Sequence, residues 1–118
     1  MKTILCADDE LFNLEIIVAY LEDSYQVDTV ENGAQCIAYL ESNTPDLIIL
    51  DHLMPELDGL EVCKIIKSDN KLKDVPVIIS SGNRSKTDIE NAMAVGADDY
   101  LGKPFDEDEL MAVVGKFI

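Results

Sequence analysis

The sequence predicts a doubly wound α/β sandwich, and three observations carry that expectation. Apolar runs of strand length recur five times along the 118 residues. Helical patterns fill the intervals between them. The third run, in "DLIILDHLMPELDG" (46–59), shows no polar alternation, as expected of a parallel strand buried on both faces. Parallel strands need crossover connections, so the alternation implies βαβ units.

The first run is TILCA (3–7), and Leu11, Leu14, Val18 and Leu21 then fall on one helical face. QVDTV (26–30) is the second strand, with a shorter helical candidate at Ala34–Glu41. DLIIL (46–50) is the third and ends abruptly in Asp51. Pro55, Asp58 and Gly59 mark the loop that follows, Asp58–Gly59 as a turn, before a helical stretch at Leu60–Ile66. PVIIS (76–80) is the fourth strand, with Asp88–Val95 after it. DYLG (99–102) is the fifth and weakest. Pro104 followed by Asp106 signals the start of a last helix carrying Leu110, Val113, Val114 and Phe117 on one side. With no repeat, low-complexity tract or linker, residues 1–118 read as one domain.

An apolar content of 47% argues for a packed core and against disorder. The net charge of −15 opposes direct binding of nucleic acid, which needs clustered Lys and Arg. It leaves basic partners or a cation open, while most of the acids need no role beyond solubility. No run approaches the length of a membrane span, and the N-terminus lacks the apolar core of a signal peptide. Cys6, Cys36 and Cys63 are odd in number, widely spaced and without a CxxC pair. They read as buried, reduced thiols of a cytoplasmic protein.

Ligands of open α/β sheets bind beyond the carboxyl ends of the strands. Those ends carry a short list: Asp8 and Asp9 after the first strand, Asp51 after the third, Ser81 after the fourth and Lys103 after the last. Singly, each has an ordinary role. Asp8 or Asp9 suits the N-cap of the helix beginning near Glu10. Asp51 suits a turn, Ser81 a loop and Lys103 a surface, and His52 is a lone loop histidine without metal-ligand spacing.

Together they point to chemistry. Three carboxylates at one rim repel one another unless a cation compensates. Oxygen-only ligands suit Mg²⁺, which takes one or two carboxylates, waters and phosphate oxygens. A lysine and a hydroxyl supply donors to an incoming phosphoryl group, and an Asp carboxylate can itself become an aspartyl phosphate. The residues thus describe a Mg²⁺-assisted phosphoryl acceptor.

The ordered set ADDE, LIILDHLMPELDG, PVIISSG and GADDYLGKPF resembles the receiver domain of two-component response regulators over essentially the whole chain. The resemblance implies a flavodoxin-like sheet of order 2-1-3-4-5 with helices on both faces. It implies phosphotransfer from a sensor histidine kinase or histidine phosphotransfer protein. Asp51 matches the phosphoacceptor, Asp8 and Asp9 the acidic pair serving Mg²⁺, and Leu53 the residue whose main-chain carbonyl completes the metal site. Ser81 matches the hydroxyl residue at the phosphoryl group and Lys103 the lysine that pairs with it. The Lys103–Pro104 bond is expected cis, and Tyr100 matches the aromatic whose orientation reports the active state. Ser81 stands in place of the commoner threonine, and Leu53 and Asn83 occupy variable positions that tune phosphoryl lifetime.

The resemblance also implies a switch in the surface of the fourth helix, fifth strand and fifth helix. Such a domain assists its own phosphorylation and dephosphorylation without being an enzyme on an external substrate. An alternative form is the input half of a longer regulator, with an enzymatic or DNA-binding output beyond residue 118.

Two other classes meet specific obstacles. A haloacid-dehalogenase-type phosphatase needs a second Asp two residues after its nucleophile, where this chain has Leu53. A flavodoxin-like electron carrier needs phosphate-binding donors where Asp8 and Asp9 stand.

Overall fold

The computed structural model describes residues 1–118. Five strands, β1 (Thr3–Ala7), β2 (Gln26–Val30), β3 (Leu47–Asp51), β4 (Val77–Ser81) and β5 (Asp99–Gly102), alternate with five helices. These are α1 (Leu11–Leu21), α2 (Gly33–Ser42), α3 (Gly59–Ser68), α4 (Lys86–Ala94) and α5 (Glu107–Gly115). All strand pairs are parallel, in the order β2-β1-β3-β4-β5. The expected flavodoxin-like sandwich is the observed fold.

Side chains alternate across each strand and so feed two separate cores. Leu5, Ile48, Leu50, Val77 and Ile79 pack with Cys36 and Leu40 of α2, Val62, Cys63 and Ile66 of α3, and Ala92 of α4. Ile4, Cys6, Leu47, Ile49 and Ile78 pack with Leu14, Ile17 and Leu21 of α1 and Leu110 and Val114 of α5. Of the three inner strands, β3 and β4 are buried throughout and β1 in all but its first residue, whereas β2 at the edge is only partly covered. All three cysteines are buried and unpaired.

β3 and β4 each begin and end one residue later than their apolar runs. Pro76 has no N–H for the ladder, and its carbonyl accepts from Ile48 N–H instead. Asp46 donates its N–H to the Thr3 carbonyl at 2.8 Å, but its carboxylate takes the Thr3 N–H at 2.8 Å, so regular strand pairing begins at Leu47. The shift makes Asp51 and Ser81 the last residues of their strands.

Asp58 does more than make a turn. It caps α3, accepting from Glu61 N–H while Glu61 reaches back to the Asp58 N–H. Gly59 follows because a Cβ there would lie 2.3 Å from the Asp51 carbonyl oxygen. The start of α3 is thereby pressed against the end of β3.

Candidate functional site

The carboxyl ends of β1, β3 and β5 converge on one ammonium group. Lys103 Nζ donates to Asp51 Oδ1 at 2.7 Å and to Asp8 Oδ2 at 3.0 Å. Strand parity places all three residues on the α1/α5 side. Asp51 follows Ile49, Asp8 follows Cys6 and Lys103 follows Leu101 at two-residue intervals, and those three apolar residues share the α1/α5 core. Asp8 is 2% exposed and Asp51 6%, so the pairing takes place out of bulk water.

Burial of this kind penalises charge. It pushes the Asp51 carboxyl up from 3.8 to about 6; the Lys103 hydrogen bond and charge oppose the rise, and the charges of Asp8 and Asp9 add to it. Burial pulls Lys103 down, but hydrogen bonds and charge from Asp51 and Asp8 outweigh it and leave the ammonium above its ordinary value. The two directions agree: each carboxylate needs the cation that lies between them.

Asp9 is exposed at the mouth of the site. Neither Asp8 nor Asp9 caps α1. Glu10 occupies the N-cap without a side-chain cap bond, and Asp8 Oδ1 accepts from the Glu10 N–H at 2.9 Å. Carboxylate oxygens of Asp8, Asp9 and Glu10 lie within 4.8 Å of one another. Asp51 is outside that group, held by Lys103. Sequence reading passed over Glu10, whose only signal was its place beside the acidic pair.

The donor set suits a hard cation, since carboxylates and a carbonyl offer only oxygen. Leu53 lies two residues past Asp51, with its side chain 71% exposed. Its carbonyl accepts no hydrogen bond from the chain.

A cleft of about 490 Å³ lies between the loops that follow β3 and β4, lined by His52, Leu53, Ser81, Gly82, Asn83, Arg84 and Asp88. Ser81 Oγ accepts from Asn83 N–H at 3.1 Å, and as a hydroxyl it retains a proton to donate. Tyr100 is half-buried against the α2/α3/α4 core, and its hydroxyl donates to the Asn83 carbonyl at 2.5 Å. Asn83 thus connects Ser81 to Tyr100.

Arg84 and Gly102 form a contact that sequence reading missed. The guanidinium crosses Gly102, where a Cβ would lie 2.2 Å from Nε, and donates to the Pro104 carbonyl at 2.9 Å. It ties the loop after β4 to the loop after β5, where Lys103–Pro104 is cis as expected.

The model of the response regulator receiver domain family matches residues 4–115. Heme response regulator HssR of Staphylococcus saprophyticus is 38% identical over 112 residues, covering 94% of this chain and 49% of HssR. This chain therefore spans about half the length of such curated relatives. The solved structure of chemotaxis protein CheY4 of Vibrio cholerae superposes with a TM-score of 0.95 at 27% identity, covering 100% of this chain and 99% of CheY4. The receiver domain of sensor histidine kinase PA1611 from Pseudomonas aeruginosa PAO1, solved with magnesium coordinated in its active site cleft, has a TM-score of 0.90 at 32% identity, with 98% and 96% coverage. Sequence and fold agree, and the chain belongs to the response regulator receiver domain family.

Proposed function

We propose that Asp51 accepts a phosphoryl group from a phosphohistidine on a sensor histidine kinase or histidine phosphotransfer protein. The observation that carries this reading is the half-buried Lys103 ammonium shared by the buried Asp51 and Asp8 carboxylates at the ends of the strands. A carboxylate oxygen of Asp51 attacks phosphorus as the P–N bond to the donor imidazole breaks. The bond's electron pair returns to the imidazole nitrogen, which takes up a proton.

Asp8, Asp9 and Asp51 would hold Mg²⁺ together with the Leu53 carbonyl. The ion, when bound, neutralises charge on the phosphoryl oxygens; magnesium in the PA1611 cleft supports that assignment. Lys103 then pairs with a phosphoryl oxygen, and the Ser81 hydroxyl donates to another. Drawing Ser81 toward the phosphoryl group pulls on Asn83 and, through it, on Tyr100. The surface of α4, β5 and α5 changes shape and presents itself to a partner protein or an output domain. This is a shift between states already in equilibrium.

The domain assists its own phosphorylation and dephosphorylation and turns over no external substrate. No helix is long and apolar enough to cross a membrane, and a cytoplasmic location fits the proposed donors. Because the curated relatives are about twice as long, an enzymatic or DNA-binding output outside residues 1–118 is the second reading.

Acetyl phosphate with Mg²⁺ tests the chemistry. Intact mass should rise by one phosphoryl group, labile in base, and Asp51→Asn should remain unlabelled. Full labelling of Asp51→Asn would move the acceptor elsewhere.

A further inference from the structure

Ser80 is a buried hydroxyl in a strand otherwise built for a core. Val77, Ile78 and Ile79 precede it, all fully buried, and Ser80 itself is 2% exposed. Its Oγ has no hydrogen-bond partner. Burying a hydroxyl without a partner is unfavourable, so an apolar residue at this position would be more stable.

The position of Ser80 gives the hydroxyl a use. Asp51 and Ser80 are direct partners in the β3–β4 ladder. Ser80 lies two residues after Ile78, as Asp51 lies two after Ile49, and both isoleucines face the α1/α5 core. Ser80 and Asp51 therefore project from neighbouring strands to the same side. Strands are about 4.8 Å apart, so rotation about one χ1 bond carries the Ser80 hydroxyl to the Asp51 side chain. In the unmodified protein Asp51 is turned to Lys103 instead, and the hydroxyl is left over.

We infer that Ser80 is the hydrogen-bond donor to the acyl oxygen of phosphorylated Asp51 and shortens the life of the phosphoryl group. The inference rests on Asp51 being the phosphoacceptor. Once phosphorylated, the Asp51 oxygen no longer holds Lys103 by charge, and the ammonium turns to the phosphoryl oxygens. The inner acyl oxygen then faces Ser80. In hydrolysis a water oxygen bonds to phosphorus and the P–O bond to Asp51 breaks, with its electron pair returning to the carboxylate. The water's protons leave with inorganic phosphate and solvent. Negative charge grows on the departing carboxylate, and a donor already aimed at it lowers the barrier.

The test compares decay of the acyl phosphate in wild type and Ser80→Ala after labelling with acetyl phosphate and removal of the donor, followed by intact mass. Ser80→Ala should decay roughly tenfold more slowly, while its unmodified form melts a few degrees higher because the orphaned hydroxyl is gone. Ser80→Thr and Ser80→Val have the same shape with and without the hydroxyl, and only Val should show the slow decay. This pair decides the matter even if one substitution disturbs packing. Equal decay of Thr and Val variants, or unchanged or faster decay in Ser80→Ala, overturns the inference. Absence of label on wild type overturns the phosphoacceptor reading and this inference with it. Label on wild type with equal decay rates overturns this inference alone.

Discussion

Lys103 Nζ and Asp51 Oδ1 are 2.7 Å apart although 52 residues separate them in the chain. The same ammonium reaches Asp8 at 3.0 Å, so one cation serves two buried carboxylates. Removing it as Lys103→Met leaves both without a countercharge, Asp8 keeping only its bond from the Glu10 N–H. The expected loss is about 2–4 kcal/mol at pH 7, measured by urea unfolding in EDTA. Added Mg²⁺ should return part of that stability by supplying another cation. A loss of the same size with and without Mg²⁺ would show that the ion does not enter this site.

The raised Asp51 carboxyl gives a pH dependence of definite sign. Its folded value of about 6 exceeds the reference value of 3.8, so the folded state holds the proton more tightly than the unfolded chain. That contribution is fully present below about pH 4 and is lost as pH rises to about 6. Asp51→Asn cannot ionise. Without metal it should be more stable than wild type by about 1–3 kcal/mol above pH 6, with the gap closing toward pH 4. A gap that widens on acidification would reverse the sign.

Much of this site was legible because the topology is regular. Once strands alternate with helices, their carboxyl ends must share a rim, and Asp8, Asp51 and Lys103 stood at those ends in the sequence. β1, β2 and β5 occupy the spans that their apolar runs indicated. β3 and β4 start one residue late because hydrogen bonding, and not hydropathy, sets a ladder: Pro76 cannot donate, and the Thr3 N–H goes to the Asp46 carboxylate rather than to a main-chain carbonyl. α4 was expected at Asp88–Val95 but runs from Lys86 to Ala94, started by the Ser85 cap. Its pattern was faint because Ala92 is its one buried residue.

Other features left no sequence signal. Ser80 passed as the end of an apolar run, since nothing in PVIIS distinguishes a buried, unpartnered hydroxyl beside Asp51 in the ladder from one facing solvent. The contact of Arg84 with Gly102 joins two loops that look unrelated until the sheet brings β4 beside β5.

Glu56 has φ 66° and is the one non-glycine residue in the left-handed region, where a Cβ costs roughly 1–2 kcal/mol. Glu56→Gly removes that strain but adds freedom to the unfolded chain. The net expectation is a gain of up to about 1 kcal/mol in urea unfolding. A loss of stability would mean that the glutamate side chain contributes more than its backbone strain costs.

Gly102→Ala should dislodge Arg84, because the new Cβ would lie 2.2 Å from Nε. Losing the guanidinium bond to Pro104 should cost about 0.5–1.5 kcal/mol. Arg84→Ala removes the obstacle together with the bond, so adding Gly102→Ala to it should cost little more. A double-mutant cycle in urea measures this coupling. Additive losses would show that the two residues do not interact.

Reductive mapping of the phosphorylated protein tests the central claim most directly. Borohydride reduces an aspartyl phosphate to homoserine, and the converted position can be read by peptide mass spectrometry after treatment with acetyl phosphate and Mg²⁺. Homoserine at position 51, dependent on both the phosphodonor and Mg²⁺, is the expected result. Homoserine at Asp8, at Asp9 or at no position would contradict the account.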